Sequence, residues 1–183
     1  MRADQGSGQR ATKKLFVLRH AKSSWDDPGL ADHDRPLAPR GRRATEALGE
    51  YVRANDIAPQ IVLCSSARRT RETLEGVAPG GEWVFEDDLY GADAGALLER
   101  LRRIPEGTGS LMLIGHNPAM QVLVLRLADT PDAAARDPGI DEIRRKFPTG
   151  ALATLTFDCG WSELSSGRAQ LHSFVRPKQL SHT

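Results

Sequence analysis

The chain has 183 residues, enough for one ordinary domain with a sizeable core and too few for two comfortable ones. Lys and Arg total 25 against 24 Asp and Glu, a formal charge of +1, so no net field recruits nucleic acid or an anionic membrane and any anion preference must be local. Two cysteines, Cys64 and Cys159, are too few for a disulfide framework and sit in or beside apolar runs, where they read as free core thiols in a reducing cytoplasm.

Residues 1–14, MRADQGSGQRATKK, are polar and aperiodic and read as a disordered lead-in. LFVLR (15–19) follows as the first strand; its four apolar residues are too short for a signal-peptide core or a membrane helix. Arg19 and His20 then come at once. A buried strand that ends on cationic and titratable side chains delivers them to the carboxyl edge of a sheet, where open α/β folds hold ligands. A helix over about 39–54 carries the stripe Ala44, Ala47, Leu48, Tyr51 and Val52, with Pro39 in its first turn and Ala38 leaving the N-cap without a side-chain acceptor.

IVLC (61–64) and WVFE (83–86) read as the next strands, and Leu97, Leu98, Leu101 and Ile104 mark a second helical stripe. LMLIG (111–115) is a further strand. The helix after it carries Met120, Leu123, Val124, Leu127 and Ala128, with Asn117 as N-cap and Pro118 at the first helical position. Residues 129–150 form a polar excursion with short helical possibilities, a surface flap. ALATLTF (151–157) and AQLHSFV (169–175) close the domain, which spans 15–176, before a C-terminal tail at 177–183. Strands alternating with helices, then two strands together, predict an α/β fold: a three-layer α/β/α sandwich with a mostly parallel central sheet whose last strands pair antiparallel.

Three strands thus end in polar residues that one sheet edge would gather: Arg19 and His20, Ser65 to Arg69, and His116 with Asn117. Arginine forks match phosphoryl oxygens bidentately, and the start of the helix after Asn117 favours an anion. Histidine adds a nitrogen nucleophile, kept neutral by neighbouring guanidinium charge. Zinc does not fit, since His20 and His116 lack further ligands at metal spacing and paired arginines repel the ion, so the expectation is a site with neither metal nor cofactor.

The segments LRHAKSSW (18–25), DHDRPLAPRG (32–41), SSARRTRETL (65–74), LIGHNP (113–118) and FPTGALATL (147–155) together resemble the histidine phosphatase superfamily, the phosphoglycerate mutase-like fold, and above all its SixA-type phosphohistidine phosphatase branch. The resemblance implies His20 as the nucleophile that becomes phosphorylated. It implies Arg19 and Arg69 as holders of phosphoryl oxygens, with Arg68 a bystander, and His116 as the second histidine stabilising the transferring group. DDLYG (87–91) offers Asp88 at the place of the mutase-like general acid, with Asp87 as its rival; a phosphohistidine substrate needs that acid less than an ester does. Trp25-Asp26 departs from Trp-Asn in many relatives, and Asp26 is expected to face away from the pocket or to hold a cation.

The expected activity is hydrolysis of phosphohistidine on a protein partner. Alternatives are a phosphomonoesterase acting on a small sugar or nucleotide phosphate, and a noncatalytic phosphate-sensing domain. The chain is expected to be a cytoplasmic monomer without nucleic acid or membrane partners. Arginine clusters at 40–43, 100–103 and 144–146 read as solvated faces, the last also as a docking surface for a phosphorylated protein, and His33, His172 and His182 read as surface or tail residues.

Overall fold

The computed structural model describes residues 11–128 and 137–180; most of the polar lead-in, part of the 129–150 excursion and the last three residues, His182 among them, lie outside the described residues. Six strands form one sheet: β1 (Lys13–Arg19), β2 (Ile61–Ser65), β3 (Glu82–Glu86), β4 (Ser110–Gly115), β5 (Leu152–Phe157) and β6 (Gln170–Val175), in the order β3-β2-β4-β1-β5-β6. The β3-β2, β2-β4 and β4-β1 pairs are parallel, and β1-β5 and β5-β6 are antiparallel. The class is α/β as expected, and the sheet is mixed. The antiparallel end arises because β5 enters the sheet beside β1 after the chain has passed through two helices, Ala119–Ala128 and Pro138–Arg145, and runs opposite to β1, and because β5 and β6 are joined with no α-helix between them.

Along β1, residues 15–18 are all buried, as both faces of the sheet are covered. Alternate side chains go to opposite sides. Leu15 and Val17, with Leu63, Leu111 and Leu113, pack against α3 (Ala94–Leu101) and α4 (Ala119–Ala128). Phe16 and Leu18, with Val62, Cys64, Met112 and Ile114, pack against α1 (Pro39–Ala54) and α2 (Arg68–Val77). Both cysteines are free and buried. No helix among the described residues is long and apolar enough to cross a membrane.

Several elements depart from the sequence reading. Strand β1 starts at Lys13, inside the expected lead-in, because Lys13 Nζ donates to the Glu106 and Thr108 carbonyls and Lys14 N to the Gly109 carbonyl, which extends the ladder. Helix α2 had no counterpart in the apolar stripes, since its buried face mixes Leu74 and Val77 with Arg69, Thr70 and Thr73. The Asn117 side chain does not cap α4: its amide donates to the Phe147 carbonyl and to Gln121, and α4 begins at Ala119, after Pro118. In the 129–150 region, Pro138–Arg145 forms a short helix, α5, capped by Asp137; Pro177–Leu180 forms the terminal α6.

Helix α1 crosses the segment that follows β1 at Gly41, where a Cβ would stand 2.2 Å from the Lys22 carbonyl oxygen. Backbone cannot rotate out of the way as a side chain can. Gly41→Ala is therefore expected to destabilise the fold by roughly 1–3 kcal/mol, read as a lower midpoint in denaturant unfolding.

Candidate active site

The sheet register assembles the site. Arg19 is paired with Gly115, so the next residues of the two strands, His20 and His116, emerge side by side from the carboxyl edge. Cys64 is paired with Ile114, which puts Ser65 beside the same point. The His20 and His116 rings lie 5.2 Å apart at 53°. Arg69 enters from the first turn of α2, with Nη2 3.4 Å from His116 Nδ1. Arg19 comes from the end of β1, its Nη1 donating to the Phe147 carbonyl at 2.8 Å. The structure thus brings together Arg19, His20, Arg69 and His116.

The protonation pattern follows from the partners. His20 Nδ1 lies 2.7 Å from the Ala21 carbonyl, which can only accept, so Nδ1 carries the hydrogen and Nε2 the lone pair. Burial pushes the His20 pKa down to about 3, with His116, Arg69 and Arg19 acting in the same direction against the Ala21 hydrogen bond. Burial and then Arg69 bring His116 down to about 4. Both imidazoles are neutral at pH 7. Arg69 Nη2 can only donate, so His116 Nδ1 accepts from it at 3.4 Å and the ring hydrogen sits on Nε2, which donates to Ser65 Oγ at 2.8 Å; Ser65 Oγ also accepts from Ala67 N at 3.4 Å. Arg19 Nε is buried and makes no hydrogen bond among the described residues. An unpaired buried donor is costly unless a ligand completes it.

This protonation pattern sets a stability prediction. Unfolded histidine titrates near pH 6.5, so between about pH 6.5 and 4 the unfolded chain binds protons that native His20 and His116 refuse, and stability falls as pH falls. The slope is at most about 1.4 kcal/mol per pH unit per histidine. His20→Asn and His116→Asn should each flatten urea midpoints measured across that window.

Other expected residues fall elsewhere. Asp88 stands exposed in the 3-10 turn Asp87–Leu89, without a hydrogen bond or ion pair to the four residues above, as does Asp87. The carboxylate bound into the cluster is Asp32, from the turn Asp32–Asp34: its carbonyl accepts from Arg69 Nη1 at 2.6 Å and its Oδ2 from Arg69 Nη2 at 3.0 Å. Tyr90 donates to the same Oδ2 at 2.7 Å, and its ring lies edge-on to His116 and to His33. The Tyr90 hydrogen bond, with Arg69 and Arg35 also acting, holds Asp32 down at about 2. His33, read as a surface residue, is half-buried with Nε2 3.1 Å from Ser66 Oγ. Asn117 serves the wall through Phe147, both amide hydrogens engaged. Asp26 is exposed, its backbone N–H donating to Ser24 Oγ. Asp32, Tyr90 and His33 were not singled out for the site by sequence, although the resemblance motif 32–41 contains two of them. Among the described residues no cluster of His, Cys, Asp and Glu is arranged to hold a metal ion.

Two imidazoles and two guanidinium groups at the carboxyl edge of an α/β sheet make a cationic pocket of the kind that receives phosphoryl groups. Residues 15–102 match the family model of the histidine phosphatase superfamily, branch 1. An uncharacterized Mycobacterium tuberculosis protein is 39% identical over 163 residues, 88% of this chain and all of that protein. The phosphohistidine phosphatase SixA of Escherichia coli is 26% identical over 79% of this chain and 86% of its own. Among solved structures, a candidate phosphohistidine phosphatase of the SixA type from Nakamurella multipartitia superposes with a TM-score of 0.82 at 30% identity, covering 91% of this chain and 97% of its own. The chain belongs to the histidine phosphatase superfamily and is SixA-like.

Proposed function

We propose that this chain is a phosphohistidine phosphatase acting on a protein, with His20 as covalent nucleophile. The observation that carries the reading is the bond from His20 Nδ1 to the Ala21 carbonyl, which leaves a neutral imidazole with its Nε2 lone pair available. Nε2 attacks phosphorus as the bond from phosphorus to the substrate nitrogen breaks; the leaving imidazole takes the electron pair and carries a proton on its other nitrogen. Arg19 and Arg69 donate to the equatorial oxygens, where negative charge concentrates in the transition state, and His116 adds a donor once a phosphoryl oxygen takes the place of Nδ1 as the Arg69 acceptor, its hydrogen moving to Nδ1 while Ser65 Oγ–H donates to Nε2. Water then attacks phosphorus, the bond to Nε2 breaks, and inorganic phosphate leaves with His20 neutral again. No metal or cofactor enters these steps.

The leaving group favours a phosphoramidate over an alkyl ester. An alkoxide must be protonated as it departs, and the carboxylates of the 87–91 turn stand outside the cluster while Asp32 is committed to Arg69 and Tyr90. A phosphohistidine-containing protein or peptide should therefore be hydrolysed with kcat/KM at least about 10-fold above that of a sugar or nucleotide phosphate. Equal or better turnover of the small esters would assign the site to the phosphomonoesterase reading. Binding of phosphate analogues without turnover of any donor would leave a phosphate sensor.

A further inference from the structure

Asp32 takes no part in the chemical steps above, yet it is the one carboxylate hydrogen-bonded to a pocket residue among the described residues. We infer that Asp32 is the positioning residue of Arg69, and that Tyr90 and Arg35 hold it in turn. The inference rests on the reading of Arg69 as an oxygen-binding group.

The grip is two-sided. One residue takes both terminal nitrogens of the Arg69 guanidinium, Nη1 on its backbone carbonyl at 2.6 Å and Nη2 on its carboxylate at 3.0 Å, which fixes the plane of the fork as a single contact could not. A third guanidinium hydrogen, the second on Nη2, is directed at His116 Nδ1, and the other two remain to face elsewhere. Asp32 lies in a three-residue turn, and its side chain is half exposed. Such a turn does not hold a carboxylate still by itself. Here Oδ2 also accepts the Tyr90 hydroxyl at 2.7 Å, and Oδ1 accepts Arg35 Nη1 at 2.8 Å. Arg35 is buried, tied to the Ser24 carbonyl and the Ser23 hydroxyl, with its guanidinium carbon 3.2 Å from the centroid of the Trp25 ring. The chain of contacts runs from a fixed arginine through Asp32 to the functional one.

A carboxylate beside an anion pocket has two opposed effects. Its charge repels the phosphoryl group, so removing it would tighten anion binding; its hydrogen bonds orient Arg69, so removing it would weaken bidentate capture. The engagement of both Arg69 nitrogens makes orientation the dominant effect. With p-nitrophenyl phosphate as substrate and tungstate as inhibitor of the full chain, Asp32→Ala should lower kcat/KM about 10- to 50-fold and weaken tungstate inhibition. Asp32→Asn, which keeps an acceptor, should fall between it and wild type, and Tyr90→Phe should lose a few-fold in the same direction. Asp32 and Tyr90 are exposed enough that melting temperatures should stay near wild type, which separates positioning from folding.

The deciding arm is the double variant. If Asp32 acts through Arg69, Asp32→Ala in an Arg69→Ala background should cost less than about two-fold more. Losses that multiply in the double variant would overturn the inference, as would an Asp32→Ala protein that binds tungstate more tightly or keeps kcat/KM within two-fold of wild type. If Arg69→Ala itself changes neither kcat/KM nor tungstate inhibition, the reading of the pocket fails, and that result is distinct from failure of Asp32 alone.

Discussion

His20→Asn is expected to remove hydrolysis of every phosphorylated substrate, lowering kcat by about 10³-fold or more, because it deletes the atom to which phosphorus is transferred. Asparagine suits the test. Its side-chain amide can donate to the Ala21 carbonyl in place of Nδ1–H, so the segment after β1 keeps its anchor while the lone pair at Nε2 is lost. Local structure is otherwise held by backbone bonds, His20 N to the Gly115 carbonyl and Gly150 N to the carbonyls of Arg19 and His20. Folding should therefore survive. A catalytic site often holds groups at some cost to stability, and a melting temperature equal to or above wild type fits that pattern. Steady-state phosphate release together with thermal melting checks both halves; substantial turnover by a folded His20→Asn protein would remove His20 from the role of nucleophile.

Arg19→Ala is expected to lower kcat/KM by about 10²- to 10³-fold, equivalent to roughly 3–4 kcal/mol of lost transition-state stabilisation. Burial lowers the Arg19 pKa, the direction expected of a charge partly withdrawn from solvent. Its Nη1 is anchored to the Phe147 carbonyl, and its Nε has no partner among the described residues, so a phosphoryl oxygen would complete its hydrogen bonding. Arg19→Lys should recover little. A lysine ammonium brings the charge but neither the planar fork nor two donors placed for bidentate capture. Kinetics with p-nitrophenyl phosphate for the two variants, side by side, test this; full activity in Arg19→Lys would show that charge alone suffices.

The sequence made the strands legible because apolar runs on a sheet covered on both faces stand out against polar turns, and the ends of β1, β2 and β4 carried the functional residues in plain view. The parallel register then follows from the alternation with helices, and it is this register that sets His20 beside His116. Helix α2 was hidden for a physical reason. Its inner face serves the pocket, so Arg69, Thr70 and Thr73 occupy positions where an apolar stripe would otherwise appear. Thr73 even accepts from Ala21 N, buttressing the segment that carries His20.

Asp32 and Tyr90 were beyond reach for a different reason. Both sit in exposed turns; they meet each other across 58 residues of chain, and Asp32 meets the buried Arg69 of α2 across 37, through polar contacts that leave no periodic trace. The family resemblance points to Asp88 as general acid, but Asp88 stands exposed in its turn and the same segment brings Tyr90 to the cluster. Asn117 looked like a helix cap by residue type, and its amide is drawn to the Phe147 carbonyl, the same acceptor that Arg19 uses. That shared carbonyl ties the loop before β5 to the site, a long-range link that the pattern of residues does not announce.

The most direct test of the central claim is to trap the phosphorylated protein. Wild type and His20→Ala are mixed with a labelled phosphohistidine peptide, kept alkaline to preserve phosphoramidate, and digested for mass spectrometry. The account predicts phosphate on the peptide that contains His20, absent from His20→Ala and released as inorganic phosphate with time. Phosphate on another residue of a turning-over enzyme, or hydrolysis by His20→Ala at the wild-type rate, would contradict it.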